Sequence, residues 1–243
     1  NFITNDIGRP LHVFDADKIE SLLNMRTAND GEKIKALDKK EYQLDSTVTV
    51  IADKNNPLAI AGIMGGSETG CTDTTKNVFL EVALFDPSKV AKTGRKLGIN
   101  SDARYRFERG LDKEMIEEGL EYASYLINKI CGGSVSKNTS AGKLDKNTHV
   151  IDYNFNYFEK VIGLHLSSEV QINILKSLLF KINKITDKSC IVEVPSWRND
   201  VIQSIDLVEE IIRIHGYDNI EIKSPYANHE EKEKVISSLN NKK

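Results

Sequence analysis

The sequence predicts an α+β protein built as two successive units, and three observations predict it. Residues 47–63 read as a β-hairpin: TVTVIA is β-branched and alternating, DKNNP is a turn, and LAIAGI is the return strand. Residues 113–131 place Ile116, Leu120, Ala123, Ile127 and Ile130 at helical spacing ahead of Gly132-Gly133. Residues 134–149 (SVSKNTSAGKLDKNTH) are polar and turn-rich, and beyond them strand and helix patterns begin again.

In chain order, NFITNDIGRPLHVF (1–14) reads as a strand, a turn at Gly8 and Pro10, and a second strand through Leu11, Val13 and Phe14, with His12 on the opposite face. Asp15 caps a short helix that uses Ile19, Leu22 and Leu23. Residues 32–63 are strands and turns, and Gly65-Gly66 follows as a tight turn or a close approach of backbone to a ligand. The run VFLEVALF (78–85) is apolar on both faces, which predicts a buried strand. Asp86-Pro87 starts a helix that runs to Leu97 and stops at Gly98. The stripe of the 113–131 helix is read as core. The second unit begins near Val150 with a strand and a short helix in VIDYNFNYFEKVIG. Ser168 with Gln171 fits a capping box for the next helix, SCIVEVPSW (189–197) is a strand ended by Pro195, and a last helix carries Leu207, Val208, Ile211 and Ile212 on one face. Residues 226–243 are polar and read as a linker.

Composition bounds the function. The chain has 243 residues, 40% hydrophobic and 28% charged, as an ordinary globular protein does. No apolar run approaches a membrane span, and no signal peptide is recognisable. The first residue is Asn1, which suggests a piece of a longer chain. A net charge of −3 argues against wholesale nucleic-acid binding and permits a local basic patch. The most basic region is Lys92 to Arg109, with six basic residues against Asp102 and Glu108: either a solvated face or a phosphate-facing rim. Cys71, Cys131 and Cys190 have no metal or disulfide spacing and read as reduced thiols in cytoplasm. No glycine-rich nucleotide-binding loop is present.

Two constellations ask for a function. Glu81 sits in the middle of the apolar run 78–85, and a carboxylate withdrawn from water costs several kcal/mol unless it is paired or protonated. Asp206, Glu209 and Glu210 lie at i, i+3 and i+4 on one helix, with Asp200 six residues upstream. They read as a solvated acidic face or as oxygen ligands for a hard cation such as Mg²⁺.

The ordered motifs GRPLHVFDADKI, AGIMGG, FLEVALFDP, SDARYRFERGLD, CGG, PSWRND and DLVEEIIRIHGYDNI resemble the beta subunit of bacterial phenylalanine–tRNA ligase, from residue 1 to about residue 223. The resemblance implies a tRNA-editing domain at 1–146, truncated at its start, a small helical winged-helix-like domain at 147–223, and a linker at 224–243. It implies post-transfer editing: hydrolysis of tyrosine wrongly joined to tRNA(Phe). The parent enzyme would be a cytoplasmic heterotetramer of two alpha and two beta subunits that uses ATP to charge tRNA(Phe). ATP would act at the alpha subunit, not on this chain, and this chain alone would not aminoacylate.

Residue by residue, the resemblance gives Glu81 the reading of the tyrosine hydroxyl, His12 a place at the ester end, and Ser101 a catalytic hydroxyl position. Gly62 and Gly65 bring backbone close to the bound amino acid, and Ala103 leaves room for its ring. Phe79 and Phe85 are expected to wall the pocket. Arg104 departs from the small residue the family pattern expects. No Ser–His–Asp or Cys–His arrangement is visible, so no covalent intermediate is expected; backbone N–H groups near Gly65 or His12 are the expected oxyanion donors. Asp200, Asp206, Glu209 and Glu210 match a cluster that binds Mg²⁺ at the junction with the alpha subunit. The rival reading is a non-catalytic RNA- or subunit-binding module with a degenerate pocket.

Overall fold

The computed structural model describes residues 2–144 and 148–221. They form two compact units divided between Asn147 and Thr148, with Ser196–Asn199 belonging to the first. The expected linker at 224–243 lies outside the described residues. Among the described residues no helix is long and apolar enough to cross a membrane.

The first unit opens with helix α1 (Phe2–Ile7), where a strand was expected. Gly8 ends it at φ +69, and Asp6 accepts a 2.6 Å hydrogen bond from the Tyr122 hydroxyl. That long-range anchor outweighs the local strand-like pattern. Strand β1 (His12–Asp15) follows, and then Asp15 caps a single 3-10 turn, Ala16–Lys18, shorter than the expected helix. Leu22 is 90% exposed and has no core to join.

Strands β2 (Asn24–Thr27), β3 (Lys33–Lys35), β4 (Glu41–Gln43), β5 (Thr49–Ala52), β6 (Pro57–Ile60), β7 (Met64–Gly65) and β8 (Val78–Glu81) come next. They make one four-stranded sheet, in order β2-β5-β6-β7, and two antiparallel ribbons, β1-β8 and β3-β4. The strand buried on both faces is β5, with Val50 and Ala52 in one core cluster and Ile51 in another. It is not β8, where Val78 and Phe79 are 41% and 40% exposed. Among the described residues β8 pairs with β1 alone, and the first two residues of its apolar run are left uncovered.

Helix α2 (Pro87–Leu97) forms as expected: Asp86 caps Lys89 N–H at 3.0 Å, and Gly98 closes it in the left-handed region at φ 63. Helix α3 (Asp102–Phe107) sits inside the basic segment and is capped by Ser101. Helix α4 (Met115–Cys131) occupies the expected span. Its stripe is only partly core: Ala123 is buried, but Ile130 is 78% exposed.

The second unit contains β9 (Val150–Asn154), α5 (Asn156–Ile162), α6 (Ser168–Ser177), β10 (Lys181–Asn183), β11 (Ser189–Glu193) and α7 (Ser204–His215). Its antiparallel sheet runs β10-β11-β9 and packs on a core that includes Tyr153, Phe158, Leu175, Leu207 and Ile211. The cap of α6 is Ser167, not Ser168. Gln171 does not close a capping box. It is buried, takes a 2.8 Å hydrogen bond from the Tyr153 hydroxyl, and donates to the carbonyls of Leu166 (2.7 Å) and Phe155 (3.3 Å).

A buried amide that satisfies three groups is costly to lose, because each orphaned polar group costs roughly 1–3 kcal/mol. Gln171→Met is expected to destabilise this unit by about 3 kcal/mol in urea unfolding. Adding Tyr153→Phe should recover part of that loss by removing one orphaned donor.

Candidate active site

The ribbon β1-β8 sets the site. In its antiparallel register His12 lies directly opposite Glu81. Directly opposed residues put their side chains on the same face of a ribbon, so imidazole and carboxyl emerge together. Both line a cavity of about 310 Å³. Gly62, Gly65, Ser101 and Ala103 line the same cavity, so it gathers all six editing-site residues named from the sequence. Phe85 and Phe107 contribute apolar wall, their rings 5.0 Å apart. Phe79 is not in the lining; it packs toward Phe14 at 6.4 Å.

Each residue is held for a reason. The His12 ring rests edge-on to Phe14 at 4.3 Å and lies over Gly65. A Cβ at Gly65 would fall 2.0 Å from His12 Cε1, so the glycine makes room for the imidazole. Gly62 adopts φ +70, and a Cβ there would meet Phe85 at 2.9 Å and Val90 at 3.0 Å. Both glycines therefore admit the pocket's own side chains. The Ser101 hydroxyl donates to Ile63 O at 2.6 Å and accepts from Arg104 N–H at 3.1 Å. Its proton is committed to joining α3 to the strand side of the cavity.

Two groups in the cavity lack partners. No hydrogen bond or ion pair reaches the Glu81 carboxyl among the described residues, and burial pushes it up to about 7. The His12 Nε2 is buried without a partner, and burial pulls the imidazole below its ordinary value. At neutral pH the pair is thus an uncharged imidazole opposite a carboxyl near its midpoint.

The departure at Arg104 does not touch the pocket. Its guanidinium bonds Glu108 at 3.0 Å and Ile99 O at 2.6 Å, in the space left by Gly94 on α2. Sequence reasoning missed Arg9. It is 2% exposed, donates to Ala83 O at 3.1 Å and Asp112 O at 2.9 Å, and packs over Gly119 of α4. Burial, only partly offset by Asp112, lowers its pKa to about 10. Arg9 fixes the chain just past Glu81, since Ala83 also lines the cavity. A signal was present: Gly94 and Gly119 stand inside helices, where glycine costs about 1 kcal/mol, and each leaves room for an arginine.

The acidic quartet does not assemble. Asp206 accepts the N–H groups of Ile202 and Gln203, both at 2.9 Å, and so caps α7. Glu210 turns inward, 7% exposed, and pairs with Arg213 at 2.6 Å, while Glu209 faces out. Asp200 is exposed. Among the described residues no three His, Cys, Asp or Glu groups come together to hold a metal ion. In this chain the i, i+3, i+4 spacing spans the boundary between the buried and exposed faces of α7, so the expected Mg²⁺ ligands are divided between a helix cap, an outward face and a buried ion pair.

Two domain families match the chain, one over each unit. The B3/4 domain family matches residues 1–132, and the tRNA synthetase B5 domain family matches residues 151–217. The chain belongs to the B3/4 domain family. It is similar to the phenylalanine–tRNA ligase beta subunit of Brucella suis, 48% identical over 221 residues, covering 91% of this chain and 27% of that protein. The beta subunit of Mesorhizobium japonicum is 42% identical over 242 residues, covering 98% of this chain and 30% of that protein. The chain thus spans under a third of the length of these curated relatives. A solved N-terminal fragment of the Pyrococcus horikoshii phenylalanyl-tRNA synthetase beta-subunit is 18% identical with a TM-score of 0.47, covering 89% of this chain and 64% of that one.

Gly65→Ala is expected to drive the His12 ring out of place and to destabilise the first unit by about 1–3 kcal/mol in thermal unfolding. Combining it with His12→Ala should restore most of that stability.

A second outcome concerns pH. The folded chain holds the Glu81 proton up to about 7, whereas the ordinary value is 4.5. Its contribution to stability is therefore fully present below about 4.5 and is lost as pH rises to about 7. His12 acts in the opposite sense: its folded value is lowered, so its contribution is lost as pH falls below 6.5. Glu81→Gln should match wild-type stability near pH 4.5 and exceed it at pH 8 by about 2–3 kcal/mol in urea unfolding.

Proposed function

We propose that the cavity of the first unit hydrolyses the ester between tyrosine and tRNA(Phe), as the editing site of a phenylalanine–tRNA ligase beta subunit. The observation that carries this reading is Glu81, a desolvated carboxyl with no partner among the described residues, inside a cavity of about 310 Å³. A tyrosine hydroxyl supplies the missing hydrogen bond, and phenylalanine leaves Glu81 unpaired. A site built this way discriminates by on the order of 10⁴ to 10⁵, which apolar shape alone does not achieve.

His12, neutral and with a free ring nitrogen, orients the attacking water or the terminal ribose of the tRNA. Gly66 N–H is spent on Leu58 O at 2.7 Å and Ile63 N–H on Ile60 O at 3.0 Å, which removes two backbone candidates for the oxyanion and leaves more of that task to His12. Ser101 acts by holding α3 against the cavity. A degenerate pocket fits less well, because the two groups without partners emerge from one face into one cavity. The second unit is the small winged-helix-like domain of the same subunit. The assembled cytoplasmic enzyme, two alpha and two beta subunits, charges tRNA(Phe) with phenylalanine using ATP.

The test is deacylation of Tyr-tRNA(Phe) and Phe-tRNA(Phe) by the assembled enzyme. Tyrosine should be released far faster than phenylalanine. Glu81→Ala should reduce that ratio at least 100-fold, on the scale of a lost hydroxyl partner, while thermal stability is maintained. Release of tyrosine no faster than background, or equal release of both amino acids, sinks the proposal.

A further inference from the structure

The ribbon β3-β4 reaches the mouth of the cavity, where Leu37 and Asp38 at its tip are part of the lining. The tip is fixed against the pocket floor. Leu37 N–H donates to Gly65 O at 3.0 Å, Ser67 N–H donates to Lys35 O at 2.8 Å, and Ala36 bridges to Gly66. The Tyr42 hydroxyl holds Asp38 at 2.7 Å.

This fixed tip displays Lys35, Leu37, Lys39 and Lys40, all exposed, with Leu37 at 51%. Lys33 pairs with Glu41, and Lys40 stands 4.0 Å from Asp38. Lys35 and Lys39 make no ion pair among the described residues. Lys39 holds φ 68, a conformation that costs an L-residue roughly 1 kcal/mol and that glycine or asparagine would adopt more cheaply. In a chain of net charge −3, these lysines also run against the overall sign.

We propose that the tip Lys35–Lys40 receives the 3′-terminal nucleotides of the aminoacyl-tRNA. Leu37 packs against the terminal base, and Lys35 and Lys39 face the phosphodiesters that follow it. The assignment rests on the ester-hydrolysis reading, because it places the RNA end where the amino acid enters the cavity. The favourable charge acts on the RNA and not on the amino acid, so it governs capture of the substrate and leaves the chemical step alone.

The experiment compares wild type with Lys35→Glu/Lys39→Glu in the assembled enzyme. A control, Lys160→Glu/Lys188→Glu, makes the same charge change on exposed residues of the second unit. Four quantities are read: KM and kcat for Tyr-tRNA(Phe), the rate of hydrolysis of tyrosine methyl ester, and Kd for a short single-stranded RNA ending in CCA. The tip variant should raise KM and Kd about tenfold at low salt, with kcat and methyl-ester hydrolysis within twofold of wild type. Its log Kd against log salt slope should drop by about 1.4, as expected for two lost single-strand phosphate contacts. Unchanged Kd, or an equal rise in the control, overturns the proposal. Absence of hydrolysis by wild type overturns the catalytic reading instead, and the RNA-binding comparison still decides the tip.

Discussion

The site depends on one register: His12 opposite Glu81 across a two-stranded antiparallel ribbon. A one-residue slip of either strand would turn that strand's side chain to the opposite face and separate the pair. The register is held from several directions. Asp15 N–H bonds Thr69 O and Ala16 N–H bonds Asn77 O at one end, both at 2.9 Å, and Arg9 ties Ala83 at the other. Phe14, wholly buried, clusters with Ile51, Leu58 and Ala59 of the sheet and meets the His12 ring edge-on, which supplies the apolar weight. The ribbon also exposes part of β8, so the geometry that presents Glu81 to the cavity gives up apolar burial at Val78 and Phe79.

Small residues are the second constraint. Gly65 admits the His12 ring, Gly94 the Arg104 guanidinium and Gly119 the Arg9 side chain. In each case a missing methyl group on one element lets a cationic or ionisable side chain from another lie flat. Close packing makes such pairs interdependent, because a dense interior has no slack to absorb an added carbon. The same density takes Glu81 and His12 partly out of water, which raises the proton affinity of the carboxyl and lowers that of the imidazole.

The acidic residues of α7 show the contrary outcome. Spacing made Asp206, Glu209 and Glu210 a possible ligand set, yet the helix divides them among a cap, an outward face and a buried ion pair with Arg213. Helical spacing states which residues are neighbours and does not state which of their oxygens are already engaged. Gln171 makes the same point: its position suggested a local cap, and its side chain instead satisfies three groups, two of them sixteen and eighteen positions away.

Much was legible in the linear order. The β5–β6 hairpin, the Asp86-Pro87 start and Gly98 stop of α2, the span of α4 and the strands at 150–154 and 189–193 follow from local rules of alternation, capping and periodicity. The oddity of Glu81 was visible too, as a charge where a charge is expensive. What local pattern could not contain was the register: His12 is sixty-nine positions away, and strand pairing sets it directly opposite Glu81 on one face. Burial likewise required the tertiary structure. The apolar runs at 78–85 and along α4 look like core, and α1 looks like a strand, because local pattern reports how apolar a segment is and not which surfaces arrive to cover it. Covering is a property of contacts between distant segments, and those contacts fixed the pocket, its proton affinities and its mouth.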